Sequence, residues 1–130
     1  MIKNVFGKIY LPLTWFILIQ VLLCLPGSSI PDTDKFFVPN FDKVVHISLY
    51  GGLVGLWCYY LYLRNLSSHK LVRLFFLVFF LAAFNGILME YVQRCCIPGR
   101  SFDLSDIIAD LLGCSFAYGI CNIKLLKTKT

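Results

Sequence analysis

Three short runs of polar residues are spaced so that each falls on one face of a helix. Lys43, His46 and Tyr50 stand at i, i+3 and i+7, and residues so spaced are neighbours on a helical surface. Gly86, Glu90 and Gln93 repeat the pattern, with Asn85 beside them, and Asp103, Asp106, Asp110 and Gly113 follow at steps of three, four and three. The side chains suit acid–base work. His46, Glu90 and Asp106 are the candidate catalytic groups, because burial and neighbouring charge can tune an imidazole or a carboxyl towards neutrality. Lys43, Tyr50, Gln93, Arg94, Arg100, Asp103 and Asp110 are the candidate ligand-binding groups. A guanidinium binds phosphate or carboxylate in bidentate fashion, which suits Arg94 and Arg100 to an anionic headgroup. Asp103, Asp106 and Asp110 with His46 also offer mixed oxygen and nitrogen donors. A divalent cation held there would activate water or clamp a phosphate. The residue types name neither a metal nor any other cofactor.

Each of these residues also has a purely structural reading. Asp103 suits a helix N-cap and Asp106 the first turn, where a helix dipole favours a carboxylate. Asp110 lies too deep for that. Lys43 can snorkel to an interface, and Glu90 can pair with Lys43, Arg94 or Arg100. An ion-pair cluster that only holds helices together is the alternative for the whole set.

The segments that carry these faces are apolar. Hydrophobic residues make up 58% of the chain and charged residues 15%, against about 25% charged in soluble domains. That excess argues for lipid as the solvent and leaves room for one domain of 130 residues. Four segments approach the roughly 20 apolar residues that a spanning helix needs: about 9–25, 44–63, 71–92 and 104–123. The fold expected is therefore all-α, a four-helix transmembrane bundle. The first segment, preceded by Lys3 and Lys8, has a signal peptide as its alternative reading, although Leu22-Leu23-Cys24 fits a lipoprotein site only loosely.

The charges are sorted along the chain. All seven acids lie in or beside two connections, 26–42 and 91–103, whereas Lys3, Lys8, Arg64, Lys70, Arg73, Lys124, Lys127 and Lys129 lie elsewhere. Basic residues favour cytoplasmic loops, so both termini and the connection 64–73 are expected in the cytoplasm, with the two acidic connections outside. The net charge of +5 then reflects topology, and no nucleic-acid partner is expected. All three polar faces approach the outer surface and descend about 10 Å into the span, at roughly 1.5 Å per residue. They would meet in one outward-facing pocket. Ionised groups at the middle of a span cost about 2.5–3.5 kcal/mol each and must pair or meet water.

The six cysteines show no CxxC spacing and no zinc framework. Four lie in apolar runs, and Cys95 and Cys96 are expected in the connection after the third span. Gly51, Gly52 and Gly55 would permit close helix packing, including oligomer formation.

Asp42-Lys43-x-x-His46-x-x-x-Tyr50, followed by Glu90-x-x-Gln93 and then Arg100, Asp103, Asp106 and Gly113, resembles the paired signatures of the VanZ-like family of small bacterial membrane proteins. The likeness reaches from Asp42 to Gly113. Asp110 departs from it, because the family pattern commonly has Asn there, so any role that needs a neutral amide is in doubt. The resemblance implies a multi-pass protein of the bacterial cytoplasmic membrane. It also implies a link to the cell envelope and to resistance against glycopeptides of the teicoplanin type. The ligands it suggests are membrane lipid, a lipid-linked cell-wall precursor or a glycopeptide. An enzyme acting on such a lipid is the alternative. Transport is a third reading, set back because the remaining part of each span is apolar apart from Gln20 and Asn122.

Overall fold

The computed structural model of the chain describes residues 8–26, 40–64 and 66–127. These form helices joined by short irregular connections. The helices are α1 (Tyr10–Leu23), α2 (Phe41–Tyr62), α3 (Ser68–Cys96) and α4 (Leu104–Cys121), the last running on through a wider turn over Asn122–Leu126. At about 1.5 Å per residue α2 is roughly 33 Å long and α3 roughly 44 Å, against a bilayer core of about 30 Å. Three helices, α2, α3 and α4 with its extension, are long and apolar enough to cross a membrane. The first segment is equally apolar but shorter, 14 residues or roughly 21 Å. Most of the connection 26–42, including Asp32 and Asp34, lies outside the described residues, as do Lys3 and Lys129.

Local sequence explains the ends. Pro12 sits in the first turn of α1, where its missing N–H removes no helical hydrogen bond. Asn40 precedes α2 in the left-handed conformation, φ 57°, which Asn tolerates better than most residues. Its carbonyl accepts from Lys43 N–H at 3.0 Å. Pro98 and Gly99, the latter with φ 75°, turn the chain from α3 towards α4.

Two boundaries differ from the sequence reading, and both bear on the polar residues. Helix α2 begins at Phe41, so Asp42 and Lys43 stand in its first turn. Helix α3 continues to Cys96, so Cys95 and Cys96 close a helix and the connection shrinks to 97–103. The continuation of α3 has a simple cause. Nothing from Tyr91 to Cys96 breaks a helix, and Arg94 places a cation against the carbonyl end, where the dipole favours it.

The helices run up and down. The ends of α1 and α3 and the starts of α2 and α4 meet at one end of the bundle. Gln93 Nε2 donates to Leu23 O at 2.9 Å, and Lys43 Nζ donates to Asp103 Oδ2 at 2.7 Å. The closest packing joins α2 to α4. A Cβ placed on Gly113 would stand 2.4 Å from Ile47 O and 3.0 Å from Gly51 N, so the two backbones touch where no side chain fits. Gly52 lies under the Trp15 ring, and Trp15 Nε1 donates to Leu49 O at 2.9 Å, which seats α1 on α2. Gly51 and Gly52 thus serve packing within the chain, while Gly55 faces open space.

The distribution of polarity is the reverse of a water-soluble bundle. Tyr50, Val54, Cys58, Leu71 and Phe75 form the core, but His46, Glu90, Gln93, Asp106 and Asp110 are buried with them. The outer surface carries Ile17, Val21, Phe76, Phe80, Phe84, Leu112 and Phe116, each more than half exposed. A continuous apolar exterior of this kind is uncommon on soluble monomers.

Candidate functional site

The polar cluster grows from the first turn of α2. Lys43 directs its ammonium across to α4, where Nζ donates to Asp103 Oδ2 at 2.7 Å and also to Asp106 Oδ1. Asp42 Oδ2 lies 2.9 Å from the same nitrogen. One turn deeper, His46 Nδ1 is 2.9 Å from Asp110 Oδ1, and its Nε2 is 3.8 Å from Asp106 Oδ2. The ring is thereby set between two carboxyl groups, Asp110 at Nδ1 and Asp106 towards Nε2. Asp110 itself fits because Gly86 of α3 has no side chain. A Cβ there would stand 2.8 Å from Asp110 Oδ2.

The third side comes from α3 and the turn after it. Glu90, 1% exposed, accepts the backbone N–H of Asp103 at 3.0 Å through Oε2. Asp103 in turn caps α4, accepting from Ser105 N–H at 2.8 Å and from Ser105 Oγ at 2.6 Å. Capping and pairing therefore coexist in one residue. The ammonium of Lys43, with help from the Ser105 hydroxyl and N–H, holds the Asp103 carboxyl down at about 2.

Six of the expected residues are thus brought together: Lys43, His46, Glu90, Asp103, Asp106 and Asp110. The others fall around them. Tyr50 donates its hydroxyl to Asn85 Oδ1 at 3.1 Å, one layer deeper. Gln93 holds the end of α1 through Leu23 O. Arg94 is exposed on the last turn of α3, and neither it nor Arg100 pairs with Glu90 among the described residues. Arg100 is half-buried, and its Nε is enclosed without a hydrogen-bond partner among the described residues. Sequence reasoning left two groups outside the site. Asp42 completes the cage around Lys43. Gln20 of α1 reaches Asn85 Oδ1 at 3.1 Å; as a lone amide in an apolar segment it carried that signal.

No group of three or more His, Cys, Asp or Glu side chains among the described residues could hold a metal ion. The ligand set of Asp103, Asp106, Asp110 and His46 does not assemble, because the ammonium of Lys43 sits where Asp103 and Asp106 converge. The protein supplies its own cation there. Among the described residues Lys43 and His46 are the cationic partners of this cluster, in which Glu90, Asp106 and Asp110 are buried and Asp42 and Asp103 are partly exposed.

A separate groove of about 550 Å³ runs between α1, α2 and α3, with walls that include Phe16, Trp57, Leu77 and Leu81. Asn85 stands in its lining as the one polar side chain. The clustered carboxylates do not line it. The apolar groove is thus a feature distinct from the polar cluster.

No family model matches the chain, and no solved structure matches it. It is similar to an uncharacterised protein of the fission yeast Schizosaccharomyces pombe, with 40% identity over 80 residues. That match covers 62% of this chain and 46% of the yeast protein, so the chain spans less than half the length of the curated relative it matches.

Proposed function

We propose that this chain is a multi-pass integral membrane protein whose polar cluster recognises the anionic head of an amphiphile, a lipid-linked component of the cell envelope. The observation that carries this reading is Arg100. Its buried Nε–H lacks an acceptor among the described residues, three residues before the Asp103 cap that Lys43 holds. A phosphate or carboxylate oxygen would complete it in charge-assisted fashion. The apolar exterior supports lipid as the surroundings, and the exposed Arg94 offers a second guanidinium near the mouth. On this reading the acidic connections face outward and both termini inward. The bacterial cytoplasmic membrane and a role in glycopeptide resistance belong to the same proposal, through the VanZ-like resemblance. The similarity to a yeast protein does not bear on them.

The test is equilibrium binding of polyisoprenyl phosphates and common envelope phospholipids to the purified protein in detergent. Binding of a phosphate-bearing lipid is expected, with affinity reduced about tenfold or more in Arg100→Gln, the range for a lost charge-assisted bond. A protein that binds none of them overturns the reading. For resistance, expression in a teicoplanin-sensitive bacterium that leaves the inhibitory concentration unchanged would remove that part.

A second reading has its own observation. His46 is oriented by Asp110 at 2.9 Å and has Asp106 3.8 Å from its Nε2, with Glu90 buried in the same cluster, the grouping that an acid–base enzyme acting on the same lipid requires. His46→Ala and Glu90→Ala should each abolish turnover of the substrate. Full activity in both variants eliminates the assignment.

A further inference from the structure

The apolar groove and the basic end of the bundle have no part in the polar cluster, yet they adjoin each other. Along α3 the groove runs from Leu74 to Leu88, fourteen residues or roughly 21 Å, and its outer wall is open, with Leu77 and Leu81 about half exposed. It runs away from Glu90 towards the start of α3. There Lys70 stands four residues before Leu74, and Arg73 four before Leu77, so both continue the face that lines the groove. Both are exposed. No acid lies in the sequence between Asp42 and Glu90, or after Asp110, and neither cation pairs with an acid among the described residues.

An apolar channel the length of a hydrocarbon chain that opens beside Lys70 and Arg73 is complementary to one kind of molecule. We propose that the groove is a binding site for an anionic phospholipid, with one acyl chain along α3 and the headgroup phosphate on Lys70 and Arg73. This rests on the membrane reading above but concerns the opposite leaflet from the polar cluster. Acyl chains of every lipid are alike, so the groove supplies affinity and the two cations supply selectivity. Anionic membrane surfaces attract such residues by roughly fivefold in affinity for each.

Trp57, in the groove wall, is a built-in reporter. The other tryptophan, Trp15, can be removed as Trp15→Phe. The full-length protein is reconstituted into mixed vesicles of phosphatidylcholine and phosphatidylglycerol, with bromine on the acyl chains of one lipid or the other. Trp57 quenching should be several-fold stronger per brominated phosphatidylglycerol than per brominated phosphatidylcholine. The preference should vanish in Lys70→Gln/Arg73→Gln and persist in Arg100→Gln. Equal quenching by the two lipids overturns the proposal, as does a Trp57 shielded from both, the result expected if a second copy of the chain fills the groove. A preference unchanged in the double variant also overturns it. Vesicle flotation separates the two readings. A protein that fails to float refutes the membrane reading and this one together, whereas one that floats without lipid preference refutes only this one.

Discussion

Lys43 concentrates the electrostatics of the site in one side chain. With its ammonium gone, Asp103 and Asp106 would face each other unpaired, and Asp106 is buried. Lys43→Met should therefore destabilise the protein by about 3 kcal/mol, the scale for breaking a buried ion pair. The same change made in an Asp106→Asn background should cost clearly less. Thermal unfolding in detergent across this double-mutant cycle measures the coupling, and strict additivity would refute the pair. Asp103 makes a different prediction. Its carboxyl is depressed from 3.8 to about 2, so the stability it contributes is fully present above pH 3.8 and lost as the pH falls through 2. The difference in melting temperature between wild type and Asp103→Asn should hold constant from neutrality down to pH 4, shrink below that and be gone below pH 2. A difference already lost at pH 5 would show that the bridge is not formed.

At the scale of the helices, glycines decide which faces meet. Gly113→Ala would drive a methyl into Ile47 O. It should destabilise by about 1–3 kcal/mol through overpacking, and shift His46 away from Asp110. Gly55→Ala is its control. That site meets nothing within 4 Å, so the better helix propensity of Ala should leave stability unchanged or raise it by up to about 1 kcal/mol. Paired melting curves check both; equal losses would mean that α2 and α4 do not approach as described. The three polar faces were legible from spacing because a helix turns regularly. The glycine contacts were not. Nothing in a run of Gly51, Gly52 and Gly55 distinguishes the two that touch other helices from the one that does not. Likewise Cys95 and Cys96 look like connection residues beside Pro98, yet the helix continues through them, because a proline acts on the residue before it and leaves the turn behind that intact.

At the scale of the whole molecule, charge sorting predicts topology. Cys24, Cys95 and Cys96 are exposed at the polar end, whereas Cys58, Cys114 and Cys121 are buried. In intact cells a membrane-impermeant maleimide should label a variant that keeps only Cys95 and Cys96 but leave unlabelled a cysteine placed by Ser67→Cys in the basic connection of a cysteine-free background. Lysis should expose the second site. Labelling of both in intact cells, or of neither, would overturn the orientation derived from the basic residues.

The amino-acid sequence by itself determined that the chain forms long apolar helices, that its acids gather at one end, and that Lys43, His46, Glu90, Asp103, Asp106 and Asp110 each face along a helical stripe. Periodicity and composition are local or additive properties, so one strand of letters carries them. Only the tertiary structure decided how the stripes engage one another. Lys43 lies 60 residues from Asp103 and His46 64 from Asp110, and whether such groups open a pocket or close on themselves depends on how near the backbones come. Gly113 and Gly86 let them come near enough that the ammonium fills the place a metal would take. The apolar groove forms elsewhere, lined by side chains of α1, α2 and α3.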